Sequence, residues 1–365
     1  MTSLRPRRLA AAAATATLLV LPLGACGALS DDESDSGSDS SSESSETSDG
    51  ADGADGATDA AGTEEAAFEP VTIEHAFGST EIDERPERVV ALGWGSADAA
   101  IAMDVIPVAL DEQSYGATEN GLMPWVESAI EDAGGELPET LKTGESPDFQ
   151  AIDAADPDII LATYSGITEA DYQKLSQIAD TVAYPDQPWS TPWREVITTT
   201  GTALGESEKA DQVLADIDAE VAAAADAHPE FQGVSVAAVA IDPSAFYVYT
   251  EADPRVQFLS DLGFEVAPSV GELDSGEGGF YYTLSTENVD QLTSDVLLSY
   301  SNDEAAAEAV ASDPTYQKMQ QFQDGTVASV VGEANVSSVS PPTALSLGYS
   351  LDTFVEALAG AVPAS

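Results

Sequence analysis

The sequence predicts an α/β protein of two lobes joined by one helical stretch, and three observations carry that expectation. Apolar runs of strand length alternate with helical runs in two separate blocks. A long helical run rich in Ala, Asp and Glu lies between the blocks. The chain beyond about Phe68 is also long enough to give each block its own core.

In the first block Val71–Phe77 and Arg88–Gly93 read as strands, residues 96 to 104 as a helix and Ile106–Leu110 as a strand. Ile159–Tyr164 reads as a buried strand entered through Asp156-Pro157. The second block repeats this rhythm with Val234–Ile241, Val296–Tyr300 and Val327–Val331, and with helical runs at 256 to 262, 314 to 322 and 344 to 360. Strands separated by helices pair in parallel. Between the blocks, Trp193 through about Ala227 reads as helical, with Gly201, Gly205 and Ser207 as candidate breaks. The expected lobes are residues 68–192 and 229–365, with the bridging helix at 193–228.

The N-terminus reads as a lipoprotein leader over residues 1–25. Arg5, Arg7 and Arg8 precede an apolar stretch at 9 to 22, and Leu23-Gly24-Ala25-Cys26 fits a lipobox. The expected mature protein begins at a lipidated Cys26 on the extracytoplasmic face of the cell membrane. Arg7-Arg8 fits twin-arginine export, whereas Pro6 and Leu9-Ala10 fit its flanks poorly, so the export route stays open. Cys26 is the only cysteine, which excludes intrachain disulfides.

Residues 31 to 67 hold 13 acids and no base, with almost no apolar surface, and read as a disordered tether within 26–67. A flexible chain of ~37 residues reaches roughly 30–35 Å. The remaining 53 acids and 8 bases leave a net charge near −45 on the globular part. Nucleic acid and anionic lipid are poor partners for such a surface. A high-salt habitat and plain compositional bias both fit this acidity.

His75-Ala76-Phe77-Gly78-Ser79-Thr80-Glu81-Ile82, followed by Arg85-Pro86-Glu87-Arg88-Val89-Val90-Ala91-Leu92-Gly93-Trp94, resembles the opening of the iron-siderophore substrate-binding proteins of ABC importers. Pro107-Val108, Pro157-Asp158-Ile159-Ile160-Leu161-Ala162 and Phe258-Leu259-Ser260-Asp261-Leu262-Gly263-Phe264 are similar to that family's later motifs. So are Leu284-Ser285-Thr286-Glu287-Asn288 and Ser350-Leu351-Asp352. Each motif is weak alone; their order across residues 70 to 360 carries the resemblance.

The resemblance implies a class III substrate-binding fold: two Rossmann-like lobes bridged by a single long helix, with the ligand in the cleft between them and only modest closure. It implies a monomeric binding protein rather than an enzyme, with no cofactor. The implied partners are a ferric siderophore, an ABC permease and its ATPase. Iron arrives already coordinated by the siderophore, so no protein metal ligands are needed. The family docks to its permease through one acidic residue per lobe. Glu287 matches that role in the second lobe. The first-lobe position is Gln150 in Pro147-Asp148-Phe149-Gln150, a departure from the usual glutamate. Asp148 or Asp153 substitutes for it, or docking leans on the second lobe.

A ferric siderophore needs a wide cleft, aromatic faces for its organic shell and a few cations for its chelating oxygens. Bases are scarce, so their placement is informative. Thr191-Pro192-Trp193 reads as N-cap, N1 and N2, putting Arg194 in the first turn of the bridging helix. Arg255 follows Asp253-Pro254 in the same arrangement. A cation there opposes the helix dipole. Either an anionic ligand converges on each helix start, or each arginine pairs with a nearby acid, as Arg255 with Asp253. Lys142 is a further cleft candidate, and Arg85 and Arg88 read as structural.

Aromatics gather in loops after strands, where α/β clefts form. Trp94, Tyr115, Trp189 and Tyr281, with its neighbour Tyr282, are the candidate ligand-binding residues beside Arg194 and Arg255. Tyr164 ends a strand, and Tyr247 and Tyr249 alternate along one as packing residues would. The scarcity of bases favours ferric complexes that are neutral or positive, such as linear hydroxamates.

Other functions fit less well. His75 and His228 are the only histidines, too few for a bare transition-metal site. A hydrolase would need an activated nucleophile, and no G-x-S-x-G or H-E-x-x-H is present. Cobalamin or haem would use the same fold, and a lipid-anchored adhesin or scaffold would need no cleft.

Overall fold

Residues 68–142, 144–242, 245–276 and 279–363 are described in the computed structural model. The leader, Cys26 and the acidic tract lie outside the described residues.

The first lobe opens with an antiparallel hairpin, β1 (Val71–His75) and β2 (Gly78–Ile82), whose alternation buries Ile73 and Ile82. Then come β3 (Val89–Gly93), α1 (Ser96–Ala102), β4 (Ala109–Asp111), α2 (Pro124–Asp132) and β5 (Glu139–Leu141). They are followed by α3 (Phe149–Ala154), β6 (Ile159–Tyr164), α4 (Glu169–Leu175) and β7 (Asp180–Ala183). The five later strands form a parallel sheet in the order β5-β4-β3-β6-β7. All six residues of β6 are buried, as a central parallel strand covered on both faces requires. The expected strand at 106–110 is displaced to Ala109–Asp111, since Pro107 has no N–H for a ladder.

The bridge is two helices rather than one. α5 (Trp193–Leu204) stops at Gly205, which takes φ +69°, and α6 (Ser207–Ala227) continues beyond it. α5 begins at Trp193 as expected, but its cap is not Thr191. The Thr191 hydroxyl donates to the Thr163 carbonyl at 2.7 Å instead of capping, and Pro192 becomes the N-cap residue.

The second lobe runs β8 (Ser235–Asp242), β9 (Ala245–Tyr249), α7 (Pro254–Asp261), β10 (Glu265–Val266), α8 (Pro268–Leu273) and β11 (Tyr281–Leu284). It ends with β12 (Val296–Ser301), α9 (Glu304–Ser312), α10 (Gln320–Asp324), β13 (Val327–Val331), α11 (Glu333–Ser338) and α12 (Ser346–Ala359). Its sheet has the order β11-β9-β8-β12-β13, with β10 beside the start of β8. The sheet is mixed: β8, β12 and β13 are parallel, whereas β9 runs antiparallel to both its neighbours, β8 and β11. The run at 314 to 322 is not one helix, because extended Met319 separates a 3-10 turn at Tyr316–Lys318 from α10.

One core joins the lobes. Ala99 of α1 and Met103 at its end, Trp193 and Ile197 of α5, and Ile217 and Val221 of α6 pack in a single cluster with Val236, Phe258, Leu298 and Phe354. Buried Asp98 adds a polar tie, accepting from Trp125 Nε1 at 2.7 Å and from the Thr343 hydroxyl of the second lobe's closing segment. Among the described residues no helix is long and apolar enough to cross a membrane.

Candidate ligand-binding site

The C-terminal ends of β3, β4, β5 and β6 converge on one edge of the first lobe, where open α/β sheets take their ligands. A cavity of about 220 Å³ opens there, lined among others by Gly93, Asp111, Lys142, Ser165, Gly166 and Trp189. Trp189 is 46 % exposed and sits at φ +58°. A bulky residue held there costs ~1–3 kcal/mol, a strain found where ligands bind. The indole rests on Gly166, where a Cβ would come within 2.4 Å of Nε1. Its ring meets Tyr164 edge-on at 5.7 Å.

Tyr164 links this wall to the second lobe. Burial pushes its hydroxyl up to about 12, and the charges of Asp253 and Arg255 also act on it. Asp253 caps α7 and accepts from the Arg255 backbone N–H at 2.9 Å and from Nε at 2.7 Å. The guanidinium lies 3.8 Å over the Tyr249 ring, which meets Tyr300 edge-on at 6.0 Å. Burial works against the Arg255 charge, but Asp253, Tyr249 and Tyr300 together hold its pKa above the usual arginine value. Asp253 Oδ2 and the Tyr300 hydroxyl are buried without a hydrogen-bond partner.

Loop residues of the first lobe close one side of this cleft. The Tyr115 hydroxyl donates to Asn302 Oδ1 at 2.6 Å, the Gly116 N–H to Glu333 Oε2 at 3.1 Å, and the Ser337 hydroxyl to the Tyr115 carbonyl at 3.3 Å. Trp94 Nε1 donates to the Pro341 carbonyl at 3.0 Å.

Residues 89–330, the greater part of the two lobes, match the family described as periplasmic binding protein. The chain belongs to that family. Among solved structures it is similar to Streptococcus pneumoniae TIGR4 PiaA in complex with ferrichrome, at 33 % identity and a TM-score of 0.71, covering 80 % of this chain and 98 % of that one. It is 27 % identical over 235 residues to the probable siderophore-binding lipoprotein YfiY of Bacillus subtilis (strain 168), 63 % of this chain and 68 % of that protein. It is 25 % identical over 278 residues to the ferric enterobactin-binding periplasmic protein FepB of Escherichia coli O6:H1, 72 % of this chain and 84 % of that protein.

Within this periplasmic binding protein, Trp189, Tyr115 and Arg255 come together around Tyr164, Tyr249, Tyr300 and Asp253. Trp94 is half-buried in the seam between lobes, against Trp125 at 6.3 Å. Tyr281 is 44 % exposed on one face of β11, beside Tyr247 of the neighbouring β9 at 5.6 Å. Tyr282 is not on that face: alternation along β11 turns it to the other side, where its hydroxyl donates to the Val270 carbonyl at 3.0 Å. Arg194 does not join the group either. Its guanidinium pairs with Asp218 at 2.7 Å and Asp261 at 3.0 Å, so acids from α6 and α7 offset its charge at the helix start. Gln150, Asp148, Asp153 and Glu287 are all exposed, and Asp148 caps α3. His75 is bonded within the first hairpin, to Thr80 at 3.0 Å. Among the described residues no group of three His, Cys, Asp or Glu side chains is placed to hold a metal ion.

Sequence reasoning read Tyr249 as a packing residue and passed over Tyr300 and Asn302. The available signal for Tyr249 was its position six residues before Arg255 across a turn, close enough for the ring to lie under the guanidinium.

Asp111 supplies a pH-dependent term. Burial pushes its carboxyl up to about 6, although it accepts the Gly93 N–H at 2.6 Å. An unfolded aspartate titrates near ~3.9. Between these values the folded chain keeps a proton that the unfolded chain has lost, so this group lowers stability as pH rises through the window. Asp111→Asn should therefore stabilise the protein by about 1–2 kcal/mol near neutrality and by almost nothing below pH ~4. Melting temperatures of both proteins across this range check it; a gap that does not widen with pH would count against it.

Proposed function

We propose that this periplasmic binding protein is the lipid-anchored, extracytoplasmic receptor of an ABC importer, capturing a ferric siderophore and delivering it to the permease. The observation that carries the reading is the cleft itself, with Trp189 and Tyr164 on one wall and Tyr249 under Arg255 on the other. Flat aromatic faces suit the organic shell of a chelate, and an arginine fork suits its oxygens. The saturated iron then asks for no protein ligand, and no bond is made or broken in the protein. Cys26 would hold the receptor at the membrane. Exposed Glu287, with Gln150, Asp148 or Asp153 on the first lobe, would meet the permease.

The test is a titration of the chain carrying Cys26→Ser with ferric hydroxamates, ferric catecholates and ferric citrate, in dilute and in molar salt. Tryptophan fluorescence should be quenched by at least one of them, with a stabilisation of about 2.7 kcal/mol at a hundredfold excess over Kd. Absence of quenching and of any melting shift across the whole set would discard the reading.

A further inference from the structure

The eight bases of the globular part can be followed one by one. Arg85 pairs with Glu206, Lys174 with Asp171, Arg194 with Asp218 and Asp261, and Lys209 with Asp104 and Glu206. Arg88 donates to the carbonyl oxygens of Ala155 and Asp156, and Lys318 stands beside Asp313 in the turn before α10. Only Arg255 and Lys142 remain for the cleft among the described residues. Arg255 is offset at 2.7 Å by Asp253, whose second oxygen has no hydrogen-bond partner. Lys142 shares its cavity with Asp111, Glu145 and Asp171. Glu333 adds a fifth carboxyl beside Tyr115, raising the Tyr115 hydroxyl after burial has done so.

Asp171 is paired with Lys174 and Asp253 with Arg255, so Lys142 alone remains against Asp111, Glu145 and Glu333. An anionic chelate would exchange its water for a wall of its own sign, in a molecule whose field is already strongly negative. A neutral chelate meets no such repulsion and a cationic one is attracted, and contacts with Trp189, Tyr164 and Tyr249 need no charge. We infer that the cleft takes ferric complexes with no net charge or a positive one, the trishydroxamate class, and discriminates against multiply anionic tricatecholate and carboxylate complexes. This rests on the siderophore reading above.

Three probes separate the outcomes: ferrioxamine B, which is cationic, ferrichrome, which is neutral, and ferric enterobactin, which is triply anionic. In dilute buffer the chain carrying Cys26→Ser should bind both hydroxamates at least about tenfold more tightly than ferric enterobactin, and the ratio should shrink in about 1 M salt, where charges are screened within ~3 Å. The double variant Asp111→Asn/Glu333→Gln keeps both hydrogen-bond acceptors and should also narrow the ratio. Ferric enterobactin binding as tightly as either hydroxamate would overturn the inference and leave the receptor reading standing. A ratio indifferent to salt and to the double variant would overturn it too. Failure of all three probes would overturn the inference, and the receptor reading would fall with it only if ferric citrate failed as well.

Discussion

Arg255→Ala should destabilise the protein by about 3 kcal/mol and weaken ferric-siderophore binding by at least ~tenfold. The stability loss comes from Asp253, which is 1 % exposed and would be left as a buried carboxylate without its counter-ion. The binding loss comes from removing the guanidinium that lies over Tyr249 between the two walls. The two effects separate in Arg255→Ala/Asp253→Asn, which removes the orphan charge: stability should largely return while affinity does not. Urea unfolding reads the first and fluorescence titration the second. A single variant with parental midpoint and parental affinity would show that the pair serves neither purpose.

Gly93→Ala should cost about 3 kcal/mol or more and disturb the cleft floor at the same time. Gly93 takes φ +79°, where an L side chain is strained, and its Cβ would lie 2.2 Å from the Tyr164 carbonyl oxygen and 2.9 Å from Ser165 Cβ. Neither neighbour can yield easily. The Tyr164 carbonyl accepts the Trp94 N–H at 2.9 Å, and Gly93 itself donates to Asp111. Opening this crossing would move Trp94, Asp111 and Tyr164 together. The expected result is a lower denaturation midpoint with weakened binding; a variant matching the parent in both would refute the account.

Periodicity placed the seven strands it predicted to within a few residues, because buried parallel strands such as Ile159–Tyr164 are unbroken apolar runs, whereas β2, β5, β7, β10 and β11 went unpredicted. Local chemistry also located Arg255 in a first turn and named Asp253 as its partner. What escaped depends on distant parts of the chain. Arg194 is settled by Asp218 and Asp261, acids 24 and 67 residues away, which no local rule selects in so acidic a sequence. Tyr282 faces away from Tyr281 because of its place in the β9–β11 ladder, and Tyr249 earned its role from a turn that folds Arg255 back over it. Gly205 was visible as a break, whereas the length of helix surviving on each side was not.

The core that runs from Met103 through Ile197 to Phe354 makes the two lobes one folding unit. Neither half can be expected to stand alone, and heat should melt both in a single transition. Wide separation of the lobes would expose that apolar surface, so thermal opening is a poor route for unloading. The ligand then leaves at the rate set by its own contacts until an outside force pries the walls apart. Under the proposed receptor role, delivery would be work done by the transporter on its receptor, rather than a motion that the receptor performs unaided.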